Sequence, residues 1–223
     1  MTSAAVFTWE TRHGPASVLH ETTPPSVRRR TVQEMVVDAP AVALGSSQSE
    51  GDVDTAVAAS RGISVVRRRS GGGAVLLVPD EHVWLDVWLP AGDPLWVDDV
   101  SRAADWLAEV WVDALDGLGI IGLEAHHGPM ESTSWSPHVC FAGLGPGEVT
   151  AEGRKLVGIS QRRTREWARF QCLVHRRWDA EATFGLLTLP GSGLAGGSWR
   201  DRVAGIGGRD VVAAVDHALA RLR

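Results

Sequence analysis

Arg67-Arg68-Arg69-Ser70-Gly71-Gly72-Gly73-Ala74-Val75 sets three consecutive glycines between two apolar runs, 63 to 68 and 74 to 78, that read as strands. A glycine triplet loses much conformational freedom on folding, so one that joins strands within a domain serves a backbone need. Two needs fit. The segment is a hairpin turn requiring glycine dihedrals, or it passes directly over a ligand, offering N–H donors to anionic oxygens while adjacent arginines add charge-assisted bonds. It is not a P-loop, because no Gly-Lys-Ser/Thr follows. Nor is it a dinucleotide fingerprint, because no Gly-x-Gly-x-x-Gly opens a helix.

A second segment, Gly153-Arg154-Lys155-Leu156-Val157-Gly158-Ile159-Ser160-Gln161-Arg162-Arg163, contains the only lysine among the 22 Lys+Arg residues. A composition biased to arginine uses it wherever a generic positive charge suffices. An ammonium is a compact point charge on a flexible stem, which guanidinium does not copy. The survivor, set between glycines, is therefore expected to be buried or to face a substrate.

At 223 residues and 44% hydrophobic content the chain suits one domain with a sizeable core, expected over 32–223. An irregular lead-in, 1–31, precedes it, marked by Pro24-Pro25 and Arg28-Arg29-Arg30. A net charge of −5 argues against a surface built for nucleic acid. The local clusters Arg28 to Arg30, Arg67 to Arg69 and Arg162 to Arg165 suit a small anionic ligand better. Two cysteines give no disulfide framework, and Met1 to Glu10 has neither a basic n-region nor an apolar h-region. Charges such as Asp86 and Asp113 interrupt the most apolar stretches. The expectation is a cytoplasmic protein with no membrane or nucleic-acid partner.

Apolar runs at 32 to 37, 41 to 44 and 83 to 89 also read as strands, the last as sheet interior with antiparallel neighbours and Asp86 on a partly wet face. Val139 to Ala142, Lys155 to Gln161 and Phe170 to Val174 look extended. Val100, Ala104, Leu107, Val110, Trp111, Ala114, Leu115 and Leu118 keep helical spacing between a cap at Asp98 or Asp99 and a stop at Gly119. A second helical stripe runs through 209–223. The connection 122–137 is rich in glycine, serine and histidine and has no periodicity, which favours a functional loop.

Taken together and in order, the two segments resemble the signatures of the lipoate-protein ligase A, octanoyltransferase and biotin ligase superfamily. The second is similar to that family's G-[RK]-K-[IL]-x-G-x-[SA]-Q-R. Ala43-Leu44-Gly45-Ser46-Ser47-Gln48 resembles its short strand ending in a G-x-x-Q turn, and the resemblance spans roughly 32 to 190. It implies an α/β (α+β) fold of the biotin/lipoate ligase catalytic type: a mixed, largely antiparallel sheet packed with helices. It also implies an enzyme of protein lipoylation, passing an octanoyl or lipoyl group to a lysine of a lipoyl domain. The donor would be an acyl-carrier protein, or free lipoate or octanoate. By the same resemblance Lys155 contacts the activated acyl carbonyl or a phosphate. Gly71, Gly72, Gly73, Ala74, Gly158 and Ser160 line the pocket, and Arg68 and Ser70 anchor polar ends. The chemistry agrees, since a fixed cation and backbone N–H groups in a dry pocket stabilise the charge that a carbonyl develops under attack.

Cys140, in Pro137-His138-Val139-Cys140-Phe141, occupies an apolar setting in which most cysteines are inert core residues. The resemblance offers it another role. Octanoyltransferases of the Gram-positive type carry Cys-Phe at a comparable distance before the family lysine and hold the acyl group as a thioester; here the separation is fifteen positions. A cation such as Lys155 close by would favour the thiolate. Lipoate ligases instead place Asn-Asp in this neighbourhood to serve ATP and Mg²⁺, and neither residue type occurs between Ile120 and Lys155. The resemblance thus implies an octanoyltransferase working through Cys140 and requiring no cofactor. The alternatives are an ATP- and magnesium-dependent ligase and, in another class, a non-catalytic relative that binds an acyl ligand or a lipoyl domain.

The chain departs from the family pattern in three places. Cys172 stands where many relatives carry His-Gly, Leu77-Val78 where relatives often show His-Asp, and the N-A-x-E-E helical segment is missing. Cys172, beside Leu173 and Val174, reads as core. His126 and His127, near Glu124 and Glu131, supply zinc-ligand types, but adjacent side chains on irregular backbone seldom converge, so no metal site is expected.

Overall fold

The computed structural model describes residues 6–188 and 202–222; residues 1–5 of the lead-in, and 189–201 and 223 of the expected domain, lie outside the described residues. Among the described residues the larger sheet runs in the order β1 (Thr8–Gly14), β2 (Thr31–Val37), β6 (His82–Pro90), β10 (Trp167–His175), β9 (Arg154–Arg163), β8 (Val149–Ala151) and β7 (Leu123–Ala125). A smaller sheet has β3 (Ala41–Leu44) between β4 (Ser64–Arg67) and β5 (Val75–Leu77). Neighbours in the larger sheet are antiparallel except β1 with β2, and β3 runs parallel to β4 but antiparallel to β5. This is the mixed, largely antiparallel architecture expected.

Strand periodicity decides which face does what. Val83, Leu85, Val87 and Leu89 of β6, with Ala168, Phe170, Cys172 and Val174 of β10, pack in one core with α3 (Asp105–Asp116) and α5 (Val211–Ala220). The helices contribute Leu107, Trp111, Leu115, Val211 and Val215 to that core. The alternate residues belong to the opposite face, where Trp84 joins a second cluster with Val75 and Leu77 of the smaller sheet and Ala16 and Leu19 of α1 (Ala16–His20). One face of the large sheet is thus buried under helices, the other under the smaller sheet and the N-terminal helix.

Several expectations are corrected. The lead-in is not wholly irregular: β1 pairs in register along β2, Thr8 opposite Thr31 through Gly14 opposite Val37, and α1 follows it. The strand signal there was weak because Thr8–Gly14 is an edge strand with half-exposed residues. Residues 139–142 form a 3-10 turn, Cys140–Ala142, after Val139 bridges Ala74. α3 begins at Asp105, after turns that occupy the stretch following Asp99, and its N-cap Ala104 offers no side-chain cap. The aperiodic connection holds β7, which pairs with β8. No helix among the described residues is long and apolar enough to cross a membrane.

Asp86 is fully buried rather than partly wet, because Arg169 reaches it across the β6–β10 pair. Arg169 Nε donates to Asp86 Oδ2 at 2.7 Å, and Trp84 Nε1 donates to Oδ1 at 2.8 Å. The same guanidinium donates to the carbonyls of Leu19 and His20 at 3.1 and 3.0 Å, pinning α1 to the sheet. Removing one member of a buried pair strands the other charge. Arg169→Met is expected to lower the unfolding free energy in urea by about 3–5 kcal/mol, and the double variant Asp86→Leu/Arg169→Met to recover most of that loss.

Candidate active site

The glycine segment is no hairpin, because β4 and β5 lie on opposite sides of β3 and residues 68–74 must cross its end. The crossing is possible only without side chains. A Cβ on Gly45, just after β3, would lie 1.8 Å from the Gly72 carbonyl oxygen; one on Gly73 would lie 2.4 Å from the Val139 nitrogen. Gly72 also adopts φ +97°, which favours glycine. Ala74 extends the contact, its N–H donating to His138 O at 2.8 Å and its carbonyl accepting the Cys140 N–H at 3.1 Å. The loop thereby fixes the backbone of Cys140. Gln48 secures the other side: its side-chain oxygen accepts the Gly45 N–H at 2.9 Å.

The three arginines before the glycines bind the protein itself. Arg67 donates to the carbonyls of Gly45 and Gln48 at 3.0 and 2.6 Å, and Arg69 pairs with Glu21. Buried Arg68 turns back onto the loop, where Nη2 donates to the carbonyls of Gly71 and Gly73 at 2.7 and 2.9 Å. They brace the loop, and the anion-binding role expected of them is not what these bonds serve. Ser70 is buried at the seam between the sheets; it accepts the Ser160 hydroxyl at 3.1 Å and donates to Gln171 Oε1 at 3.2 Å.

Lys155 is buried, as the sequence predicts, and has a partner the sequence did not reveal. Its ammonium lies 2.6 Å from Glu148 Oε2 and donates to the carbonyls of Gly143 at 2.8 Å and Cys140 at 3.2 Å. Three acceptors thus meet its three N–H bonds, and the charge sits 5.0 Å from the centre of the Phe141 ring. Glu148 is itself fully engaged, accepting the N–H groups of Gly145 at 2.7 Å and Ile159 at 3.0 Å. Gly158 leaves room for the Phe141 ring, whose Cζ would lie 3.1 Å from a Cβ there. The only advance sign of Glu148 is an acid placed after the Gly145-Pro146-Gly147 turn and before the apolar Val149.

Two cavities meet at Cys140. One is largely apolar, lined by Ala43, Val75, Leu77, Trp84 and Leu173 with His20, Arg68, Ser160 and Gln171. The other is lined by Gly71 to Gly73, Ser136, Glu148, Lys155 and Gln161. Cys140, Ile159 and Ser160 border both. The expected site residues are therefore brought together, with Ala74 buried behind the loop. His20 and Gln171 are additions. Cys172 lies on the opposite face of β10 in the helix-packed core, where burial pushes its thiol up to about 12. His126 and His127 diverge, one bonding Pro129 O and the other Glu109 and Asp105, and no group of three metal-ligating side chains forms among the described residues.

The profile described as lipoyl protein ligase A/B catalytic domain matches residues 19–197. The chain belongs to that family. It is 31% identical over 160 residues to octanoyltransferase LipM of Kyrpidia tusciae, a match covering 69% of this chain and 57% of that protein. With octanoyltransferase LipM of Moorella thermoacetica it shares 33% over 128 residues, 56% of this chain and 45% of the relative. The chain thus spans about half the length of the curated relatives it matches. Among solved structures, the bi-partite lipoate protein ligase from Thermoplasma acidophilum, reported with its E2 lipoyl domain, aligns with a TM-score of 0.70 at 18% identity, covering 97% of this chain and 81% of that one. The fold is therefore that of the lipoyl protein ligase A/B family.

Two measurements check the geometry of this family member. Gly71 has open space where a Cβ would be added, so Gly71→Ala is expected to change unfolding free energy by no more than about 0.5 kcal/mol. Gly73→Ala, forced against Val139, should cost about 1–3 kcal/mol. In thiol labelling of the native protein with iodoacetamide at pH 8, Cys140 should react and Cys172 should not; Cys140→Ser should abolish labelling and Cys172→Ser leave it intact.

Proposed function

We propose that this protein transfers an octanoyl or lipoyl group to a lysine of a lipoyl domain through a thioester on Cys140. The observation that carries this reading is the position of Cys140, where the apolar cavity meets the glycine-walled cavity that holds Lys155. An acyl chain would lie between Ala43, Val75, Leu77, Trp84 and Leu173, with its carbonyl at the sulfur. The glycine-walled side would admit the thiol arm of a donor and then the amine of an acceptor. The relatedness to octanoyltransferases LipM supports the same choice.

The step balances without a further reactant. The Cys140 thiolate adds to the carbonyl of a donor thioester; the carbon–sulfur bond to the carrier breaks, and the carrier thiolate leaves and takes up a proton. The acceptor amine then attacks the Cys140 thioester, an amide forms, a proton is lost and the thiolate is restored. Lys155 serves as a fixed charge in this scheme. By bonding the Cys140 carbonyl it orients the nucleophile's own peptide.

The residues of the glycine-walled cavity fit a nucleotide and magnesium poorly. Glu148, the one carboxylate lining it among the described residues, already accepts three donors, and the arginines of the glycine segment are bound to the protein's own carbonyls and to Glu21. Mass spectrometry after incubation with octanoyl-carrier protein should reveal one octanoyl adduct in the wild type and none in Cys140→Ser, with octanoate then moved to a lipoyl domain. An adduct that survives Cys140→Ser, or transfer only from free octanoate plus ATP, would overturn the thioester; acyl binding with no transfer at all would point to a non-catalytic relative.

A further inference from the structure

Of the three arginine clusters in the sequence, Arg67 to Arg69 brace the glycine loop, and the fold brings the other two together. Ala91, just past β6, donates its N–H to Glu166 O at 2.7 Å and accepts Arg28 Nη2 at 3.0 Å, while Arg30 pairs with Asp93 at 2.9 Å. Residues 28–30, 90–93 and 162–166 thus meet at one end of the larger sheet. These segments carry six arginines against two acids, Asp93 and Glu166. Arg30 is neutralised by Asp93, but Arg29, Arg162 and Arg165 are exposed and have no side-chain partner among the described residues. With a net charge of −5 the molecule as a whole repels anions, and this end attracts them.

Exposed apolar side chains lie among these charges. Val27 precedes Arg28, and Val97 and Val100 belong to a loop that the end of β9 holds in place. Arg163 Nη1 donates to Asp98 O at 3.2 Å, its guanidinium lies 4.2 Å from the centre of the Trp96 ring, and Gln161 Nε2 donates to Val100 O at 2.5 Å. The loop's own acids are engaged: Asp98 accepts Trp96 Nε1, and Asp99 accepts the Ser101 N–H and hydroxyl. Apolar residues set among cations make a face suited to a protein partner rather than a pocket for a small anion. The face adjoins the candidate active site, because Gln161 also lines the glycine-walled cavity.

We infer that this end of the sheet, through Arg28, Arg29, Arg162 and Arg165, docks the donor, an acidic carrier protein that presents the acyl group as a thioester at the end of a long arm. The inference rests on the Cys140 thioester proposed above. Reach selects the donor over the acceptor. Ile159 borders both cavities with Cys140, and Arg162 lies three residues farther along β9, about 10 Å at the rise of a strand. Arg165 lies beyond the end of the strand. A lysine stem is shorter than two residues of extended chain, so an acceptor seated over the arginines would hold its amine short of Cys140. A carrier's arm spans that gap, and the wall of Gly71 to Gly73 leaves it room to approach the sulfur. The arginines then govern which protein approaches and in what orientation, and the cavities govern what is transferred.

The double variant Arg29→Glu/Arg165→Glu tests the surface, since both side chains are exposed and bond nothing in the fold. Acylation of Cys140 is followed by mass spectrometry with two donors: octanoyl-carrier protein, and octanoyl-N-acetylcysteamine, an uncharged thioester with no protein attached. The second-order rate constant with the carrier is expected to fall about tenfold or more, and that with the small thioester to stay within about twofold of wild type. The rate at saturating carrier should be retained. In the wild type the carrier rate constant should also fall as NaCl is raised from about 50 to 500 mM, because salt screens exposed charges. That measurement decides the matter should the double variant fold poorly. Equal carrier rate constants in variant and wild type, or a wild-type rate indifferent to salt, would overturn the donor surface. So would a loss confined to transfer from octanoyl-Cys140 to a lipoyl domain, which would give the arginines to the acceptor. Absence of any thioester in the wild type with either donor would instead remove the proposed function itself, so the two failures are distinguishable.

Discussion

The loop that joins the two outer strands of the smaller sheet crosses its neighbours with backbone against backbone, where no side chain fits. Gly45 meets Gly72, and Gly73 meets Val139. A methyl group at Gly45 would push the loop off the end of β3, and one at Gly73 would push it off Val139, straining the Ala74 bonds that hold His138 and Cys140. The position of Cys140 is thus a consequence of backbone packing more than of any side chain near it. The arginines follow the same logic: Arg67 and Arg68 satisfy carbonyls that the tight crossing exposes, which a burial this close demands.

The Lys155–Glu148 pair is the electrostatic counterpart of that packing. A buried ammonium is tolerated when its charge and all its donors are matched, and here one carboxylate, two carbonyls and an aromatic ring do so. Glu148 is matched in turn by two backbone N–H groups on either side of β8. Such a closed network is rigid. It explains why arginine does not occupy position 155 in a chain so rich in it: a planar, five-donor fork has no corresponding set of acceptors in this space.

The strand pattern, the helical stripe of α3 and the order of the two signatures were legible because each is local: an alternation, a 3.6 period, a spacing. Cys140 and Lys155 emerged from the same local spacing. Glu148, Gln171 and His20 did not, since their meaning lies in contacts between distant parts of the chain. Gln171 is one polar residue in a strand until Ser70, 101 positions earlier, orients its amide. The edge strand β1 was hidden because half-exposed edges need not alternate. Asp86 looked wet because nothing near it in sequence announces Arg169, 83 positions on. The 3-10 turn at Cys140 reads as a strand in sequence because an apolar run of four residues does not distinguish the two.

A catalyst that hands activated acyl groups to lysine amines risks acylating itself wherever an amine of its own is nucleophilic and within reach. Here the one side-chain amine is enclosed and held as an ion pair by Glu148, and the surface charge is carried by arginine, whose guanidinium is a poor acyl acceptor. Under the transfer proposed above, an arginine-biased composition would act as chemical self-protection, with the acceptor's lysine the exposed amine in the encounter.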